Sequence, residues 1–227
     1  IKKLSKLNKK GNIYIGSIRR GVTQPVVAGA LRINCTSGSM NKIGKGGPPA
    51  KIFSPMILGP VDNKLLKSIN RKTDEESKNV ESFWQYGKKF KRLGHRDRTK
   101  WLAFRKKGYN TTKRHRRPVG VKAGEVPMNA EYFGKEMDYI PSRKLAYVPV
   151  YEALVKTTDA FKELQKIVDS GQDVLIVDLD GPMPVGSVLK VTRESLIKKI
   201  NDPRSPFGHG YVLAASLAGI NSKVYTK

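Results

Sequence analysis

Apolar positions along the chain follow two periods, and the changes between them outline the elements. Residues 12–18 (NIYIGSI) alternate apolar with small or polar side chains, which predicts a strand. Residues 26–35 predict a second strand with Gly29 as a bulge. Residues 36–49 (TSGSMNKIGKGGPP) have no apolar period and predict a loop; 51–60 (KIFSPMILGP) predict an extended piece punctuated by prolines. A polar excursion with a short helix is expected at 62–78. Residues 79–93 predict a helix: Asn79 suits its N-cap, and Glu81 suits the positive end of the dipole. Val80, Phe83, Gly87 and Phe90 form one stripe of that helix, and Glu81, Trp84, Gln85 and Lys88 the adjacent one. A further short helix is expected at 98–108 around Trp101 and Phe104, followed by a basic loop at 109–124.

In the second half, 142–156 is helical in pattern with Pro149 kinking or dividing it. Residues 158–170 predict a helix capped by Thr158, with an apolar stripe of Phe161, Leu164, Ile167 and Val168, closed by Gly171. The apolar run that follows at once predicts a buried central strand over 173–180, with Asp178 and Asp180 at its C-terminal end. Helices at 192–200 and 209–217 complete the pattern. This alternation predicts an α+β (mixed α/β) fold: a compact single domain over 12–227, with helices around the 173–180 strand, behind a basic arm at 1–11. Ligands of open sheets gather beyond the carboxyl ends of strands, which makes Asp178 and Asp180 site candidates.

Charge changes the picture, because it is unevenly placed. Residues 1–120 hold 30 basic and 6 acidic side chains, a net of +24, whereas 121–227 balance to +1. The segment 88–117 alone holds 14 basic residues against Asp97, and 88–122 is read as a basic insertion or surface. Such density is self-repelling unless a polyanion neutralises it, and nucleic acid, DNA or RNA, is the expected partner; a solvated basic face is the alternative. The phosphate-binding candidates are Lys88, Lys89, Lys91, Arg92, Arg105, Lys106, Lys107, Lys113, Arg114, Arg116 and Arg117. Trp101, set between Arg98, Lys100 and Arg105, is either a base-stacking side chain or a core anchor.

The remaining chemistry is sparse. Cys35 stands alone, which excludes an internal disulfide, and a buried structural thiol is its expected role. His95, His115 and His209 lack ligand spacing, so no metal is expected; neither a Walker loop nor GxSxG occurs, and no cofactor is expected. No apolar run approaches the roughly 20 residues of a membrane span. With no h-region at the start, a cytoplasmic setting is the expectation. The best constellation is the Glu81 face, where a carboxylate, an indole, an amide and an ammonium could meet a phosphate-bearing nucleotide-like ligand. Equally, Glu81 could only complement the dipole and Trp84 be core.

Phe53-Ser54-Pro55 followed by Val80-Glu81-Ser82-Phe83-Trp84-Gln85 and Lys88-Lys89-Phe90 resembles the NADAR superfamily, whose name refers to NAD and ADP-ribose. A phage and bacterial branch is more similar still. It is matched here by Thr36-Ser37, the Glu81 helix, the basic stretch 113–122, Val148-Pro149-Val150-Tyr151, the strand 174–178, and Gly208-His209. The resemblance implies hydrolysis of a ribose–base or ADP-ribosyl–base N-glycosidic bond. It also implies roles: Glu81 as the catalytic carboxylate and Asp178 as a second candidate, Trp84 stacking and Lys88 on phosphate. Ser54, Gln85, Trp101 and His209 are the further candidate substrate contacts. The competing expectation is a non-catalytic nucleic-acid-binding protein of a virion, ribosome-like or replication particle.

Overall fold

A computed structural model describes residues 10–19, 21–111, 113 and 117–227. The first nine residues of the expected arm lie outside them. Lys10 is described, and its ammonium pairs with Asp169 at 2.9 Å.

The alternating segments form β1 (Ile13–Ser17) and β2 (Leu31–Asn34). β2 is shorter than expected, because Gly29 adopts φ +74° and the Ala30 N–H closes onto the Val27 carbonyl, making a turn instead of a bulge. The 51–60 piece is also not extended: a 3-10 turn (Ala50–Phe53) runs into tight turns around Ser54. The excursion holds α1 (Asn63–Ser68), whose cap Asp62 accepts the Leu65 N–H. The Glu81 helix, α2 (Val80–Tyr86), is capped by Asn79 as expected. It stops at Gly87 instead of residue 93, and the chain turns into β3 (Lys88–Lys89). Then come α3 (Arg98–Tyr109), β4 (Asn129–Tyr132) and β5 (Lys135–Met137).

The β4–β5 hairpin has no counterpart in the sequence expectations. Its two turn residues are Phe133 and Gly134, both at positive φ, and Phe stands where such turns usually announce themselves with Asn or Asp. The expected 142–156 helix spans α4 (Tyr139–Ser142), a wide π turn (Arg143–Tyr147) and α5 (Val148–Val155). The break precedes Pro149, whose missing N–H costs nothing in the first turn of the new segment. α6 (Asp159–Asp169), β6 (Val174–Asp178), β7 (Val188–Lys190), α7 (Arg193–Ile200), α8 (His209–Leu217) and α9 (Ser222–Tyr225) follow. Thr158 and Thr192 cap α6 and α7 through their side chains.

The result is an α+β fold with two sheets. The first has the order β2-β6-β1-β7, with β1 and β2 parallel to β6 and β7 antiparallel to β1. Every residue of β6 is buried, as its unbroken apolar run predicts for a central strand. All of α8 is buried as well, packed on β1, β6 and α5. The second sheet is antiparallel, in the order β3-β4-β5. Among the described residues no helix is long and apolar enough to cross a membrane.

Candidate active site

The parallel strands β1, β2 and β6 end side by side at Ser17, Asn34 and Asp178, and the N-terminus of α8 abuts that edge. Asp178 accepts hydrogen bonds from the N–H groups of Leu179 (2.7 Å) and Gly210 (3.0 Å). His209 Nδ1 lies 3.2 Å from Asp178 Oδ2, and its Nε2 lies 2.9 Å from the Cys35 carbonyl oxygen. Glycine permits this approach: a Cβ at Gly210 would stand 2.8 Å from the Asp178 Cβ, and one at Gly208 2.8 Å from Asp178 Oδ2. The Cys35 thiol donates to the Val177 carbonyl at 3.3 Å. Burial, reinforced by the Asp178 charge, pushes that thiol well up, so it stays protonated.

Donor atoms of Cys35, Asp178 and His209 lie within 4.8 Å of one another, the spacing a metal site would need. Each is already engaged by the hydrogen bonds just described, and all three residues are buried. The trio joins β2, β6 and α8.

Glu81 is set by a different route. The α2 N-terminus is docked on the Ser54 turn: the Glu81 N–H donates to the Pro55 carbonyl (2.8 Å) and the Val80 N–H to the Leu58 carbonyl (2.9 Å). Ser54 Oγ accepts the Met56 N–H, which shapes that turn. The Tyr151 hydroxyl of α5 donates to the Phe53 carbonyl at 2.6 Å, and the Tyr151 ring lies 5.9 Å from His209. Thus the segments around Phe53, Glu81, Tyr151, Asp178 and His209, scattered in sequence, pack against one another.

On α2 the expected polar stripe exists as a relay. Gln85 Nε2 donates to Glu81 Oε1, and Lys88 Nζ to Gln85 Oε1, each at 2.9 Å. The Lys88 ammonium also sits 4.6 Å from the Trp84 ring centre. Glu81, Trp84, Gln85 and Lys88 are half-buried: protein crowds them, but each keeps an edge toward water. Burial pushes the Glu81 carboxyl above its ordinary range; its bond from Gln85 and the charges of Lys88 and His209 oppose the rise, and Asp180 adds to it. Burial lowers Lys88 to about 8, with Glu81 and Asp180 opposing the drop and Arg143 adding to it. The α2 face and the edge of the parallel sheet therefore share one electrostatic field. Beside Glu81 lies a small, partly open space of about 10 Å³, bounded by Met56, Asn79, Ser82, Gln85, Tyr86 and Lys113. That is room for about one water molecule.

Several expected substrate contacts are placed elsewhere. Trp101 is fully buried under the cations of Lys89, Arg98 and Arg105, so it offers no face to a base. Ser54 and His209, expected substrate contacts, and Asp178, the second catalytic candidate, are all buried, Ser54 at 3% exposed and Asp178 at 2%, and support the site from beneath. Trp84 is half-buried but already wrapped: Tyr132 stacks on it at 5.7 Å, and Tyr147 tilts against it at 4.9 Å. Of the phosphate candidates, Lys89 pairs with Glu131 at 2.8 Å and also with Glu136, Arg92 with Glu125 at 2.8 Å, and Arg105 with Glu75 at 2.9 Å. Lys91, Lys106, Lys107, Lys113 and Arg117 are exposed; Arg114 and Arg116 lie outside the described residues.

Tyr147 and Arg143 join the site without having been singled out by the sequence, and Tyr151, part of the 148–151 segment of the resemblance, joins it with a contact the sequence did not specify. Tyr147 is held well above the ordinary phenol range by burial and then by the nearby charges of Glu81, Asp178 and Asp180. The clue available in the sequence is the polar and aromatic content of an otherwise apolar helix at 143–151. No family model, curated protein or solved structure matches this chain.

Proposed function

We propose that the protein is an N-glycosidase acting on a ribose–base or ADP-ribosyl–base bond in a nucleic-acid-linked or otherwise phosphate-bearing substrate. The observation that carries this reading is Glu81: a half-buried carboxyl, raised by burial, hydrogen-bonded through Gln85 to Lys88, beside a water-sized space. A carboxyl raised toward neutrality is suited to exchange a proton with water. In the step envisaged, the C1′–N bond breaks and its electron pair leaves with the base, which takes up a proton from solvent. Water attacks C1′ and gives its proton to the Glu81 carboxylate, which returns it to solvent and so closes the cycle. The negative charge of Glu81 also stabilises the cationic sugar as the bond opens. Lys88 supplies a cation for a phosphate, while Asp178 and His209 hold the sheet edge against which the sugar would rest.

The test is release of free base or free ADP-ribose from modified oligonucleotide, followed by mass spectrometry. Glu81→Gln keeps the side-chain volume and a partner for Gln85, and should cut release by at least about tenfold while leaving substrate binding intact. Unchanged release in this variant would remove Glu81 from the mechanism. Oligonucleotide binding with no release by the wild type would favour the non-catalytic scaffold.

A further inference from the structure

Beyond Lys88, the fold sorts the described basic residues up to 117 into two populations. Lys89, Arg92, Arg98 and Arg105 are ion-paired with carboxylates of this chain: Glu131 takes Lys89 and Arg98, Glu136 takes Lys89, Glu125 takes Arg92 and Glu75 takes Arg105. Lys91, Arg96, Lys100, Lys106, Lys107, Lys113 and Arg117 are exposed and make no ion pair among the described residues. The division runs along α3. Its inner face buries Trp101, Arg105, Gly108 and Tyr109, and its outer face carries Lys100, Lys106 and Lys107 with Ala103 between them. The outer cations span Lys100 to Lys107, about 10.5 Å at 1.5 Å per residue, which matches about three phosphates of one strand at 3.4 Å of helix axis each.

Three carboxylates lie near it, fewer than its cations. Asp97 caps α3, accepting the N–H groups of Thr99 and Lys100, and Glu75 is held by Arg105. Glu76 accepts the Asn63 N–H; it shares an open depression of about 360 Å³ with Glu75, Lys78, Lys106 and Asn110.

We propose that the outer face of α3, continued by Lys91 and Arg96 at one end and by Lys113 and Arg117 at the other, docks the phosphate backbone of double-helical nucleic acid without reading its sequence. The charge calls for a polyanion with regularly spaced phosphates. The absence of a stacking platform among the described residues of this face selects the duplex over the single strand. Single-strand sites interleave cations with exposed rings, whereas here Trp101 and Tyr109 are buried and Phe104 packs on Tyr86 and His95. The inference deepens the proposed function and rests on it for one point only: Lys113 borders both this face and the space beside Glu81, so a docked duplex lies next to the site.

The experiment measures fluorescence anisotropy of a labelled duplex and of its single strand against the full chain, as a function of salt. The duplex should bind more tightly than the strand, with a steep salt dependence. The triple variant Lys100→Gln, Lys106→Gln, Lys107→Gln should weaken duplex binding about tenfold or more at low salt. It should also flatten the slope of log K against log salt by about 0.9 for each phosphate that is no longer neutralised. The exposed α7 residue serves as control: Lys198→Gln should change neither quantity. A triple variant that folds by circular dichroism yet keeps wild-type affinity and slope would overturn the proposal, as would tighter binding of the single strand. The release assay separates the two readings. If the wild type releases no base while the α3 result holds, the glycosidase reading fails and the docking face stands; unchanged release by Glu81→Gln removes only Glu81 from the mechanism.

Discussion

Glu81 and Lys88 lie seven residues apart and titrate toward each other from opposite ends of the scale. Burial disfavours charge on either, so the carboxyl rises and the ammonium falls, and Gln85 bridges them. If Glu81 works as a carboxylate, activity should fall as the pH drops through its raised titration point, above the ordinary carboxylate range. If Lys88 must stay charged to hold phosphate, activity should fall again as the pH rises through about 8. The pH dependence of kcat/KM should therefore be bell-shaped. Lys88→Arg, which keeps its charge at every accessible pH, should move the alkaline limb upward; a limb still falling near 8 in that variant would assign it to another group. At this scale the sequence is readable where a side chain's role follows from helical spacing, as for Glu81, Gln85 and Lys88. It is not readable for Trp101, because the same sequence pattern serves a stacking platform and a core residue roofed by cations.

Among the elements, the turn from α2 into β3 does most to present the site, and it hinges on a glycine. A Cβ at Gly87 would stand 2.2 Å from the Tyr132 ring, the ring that stacks on Trp84 and whose hydroxyl donates to the Trp84 carbonyl at 2.6 Å. The helical stripe of Val80, Phe83, Gly87 and Phe90 is legible in the sequence, and its apolar members are indeed buried. Yet pairing of Lys88 with Ala130 and Lys89 with Asn129 outweighs the helical pattern beyond residue 86. Gly87→Ala should push Tyr132 aside and cost about 1–3 kcal/mol of stability, the usual range for overpacking. Chemical denaturation would measure that cost. Near-ultraviolet circular dichroism should change as Trp84 loses its neighbour, while the far-ultraviolet spectrum holds.

Across the whole molecule, an acidic anchor beneath α3 ties the basic half to the second sheet. Glu131 on β4 is 1% exposed, 2.8 Å from Lys89 Nζ and 2.8 Å from Arg98 Nη1. Burial works to raise its carboxyl, but the bonds and charges of Arg98 and Lys89 outweigh burial and leave it below the ordinary range. A carboxyl lowered by folding contributes stability above its unfolded titration point and loses it as the pH falls through the folded one. Glu131→Gln should cost about 3 kcal/mol, because Lys89 stays buried with less compensation, and should blunt the acid sensitivity of unfolding. Urea midpoints at several pH values would test both; equal midpoints for variant and wild type at neutral pH would make the anchor incidental.

Local signals alone determined the α+β class, the caps at Asn79, Thr158 and Thr192, the buried strand ending at Asp178 and the helix opening at His209. Each depends on residues within a turn or two of one another, where propensity, capping and apolar period act directly. Tertiary structure alone decided where α2 ends, that the residues after it pair with a hairpin, which cations face carboxylates, and that Cys35, Asp178 and His209 close on one another. Those outcomes rest on partners as far as 174 residues apart, whose distances no local pattern encodes.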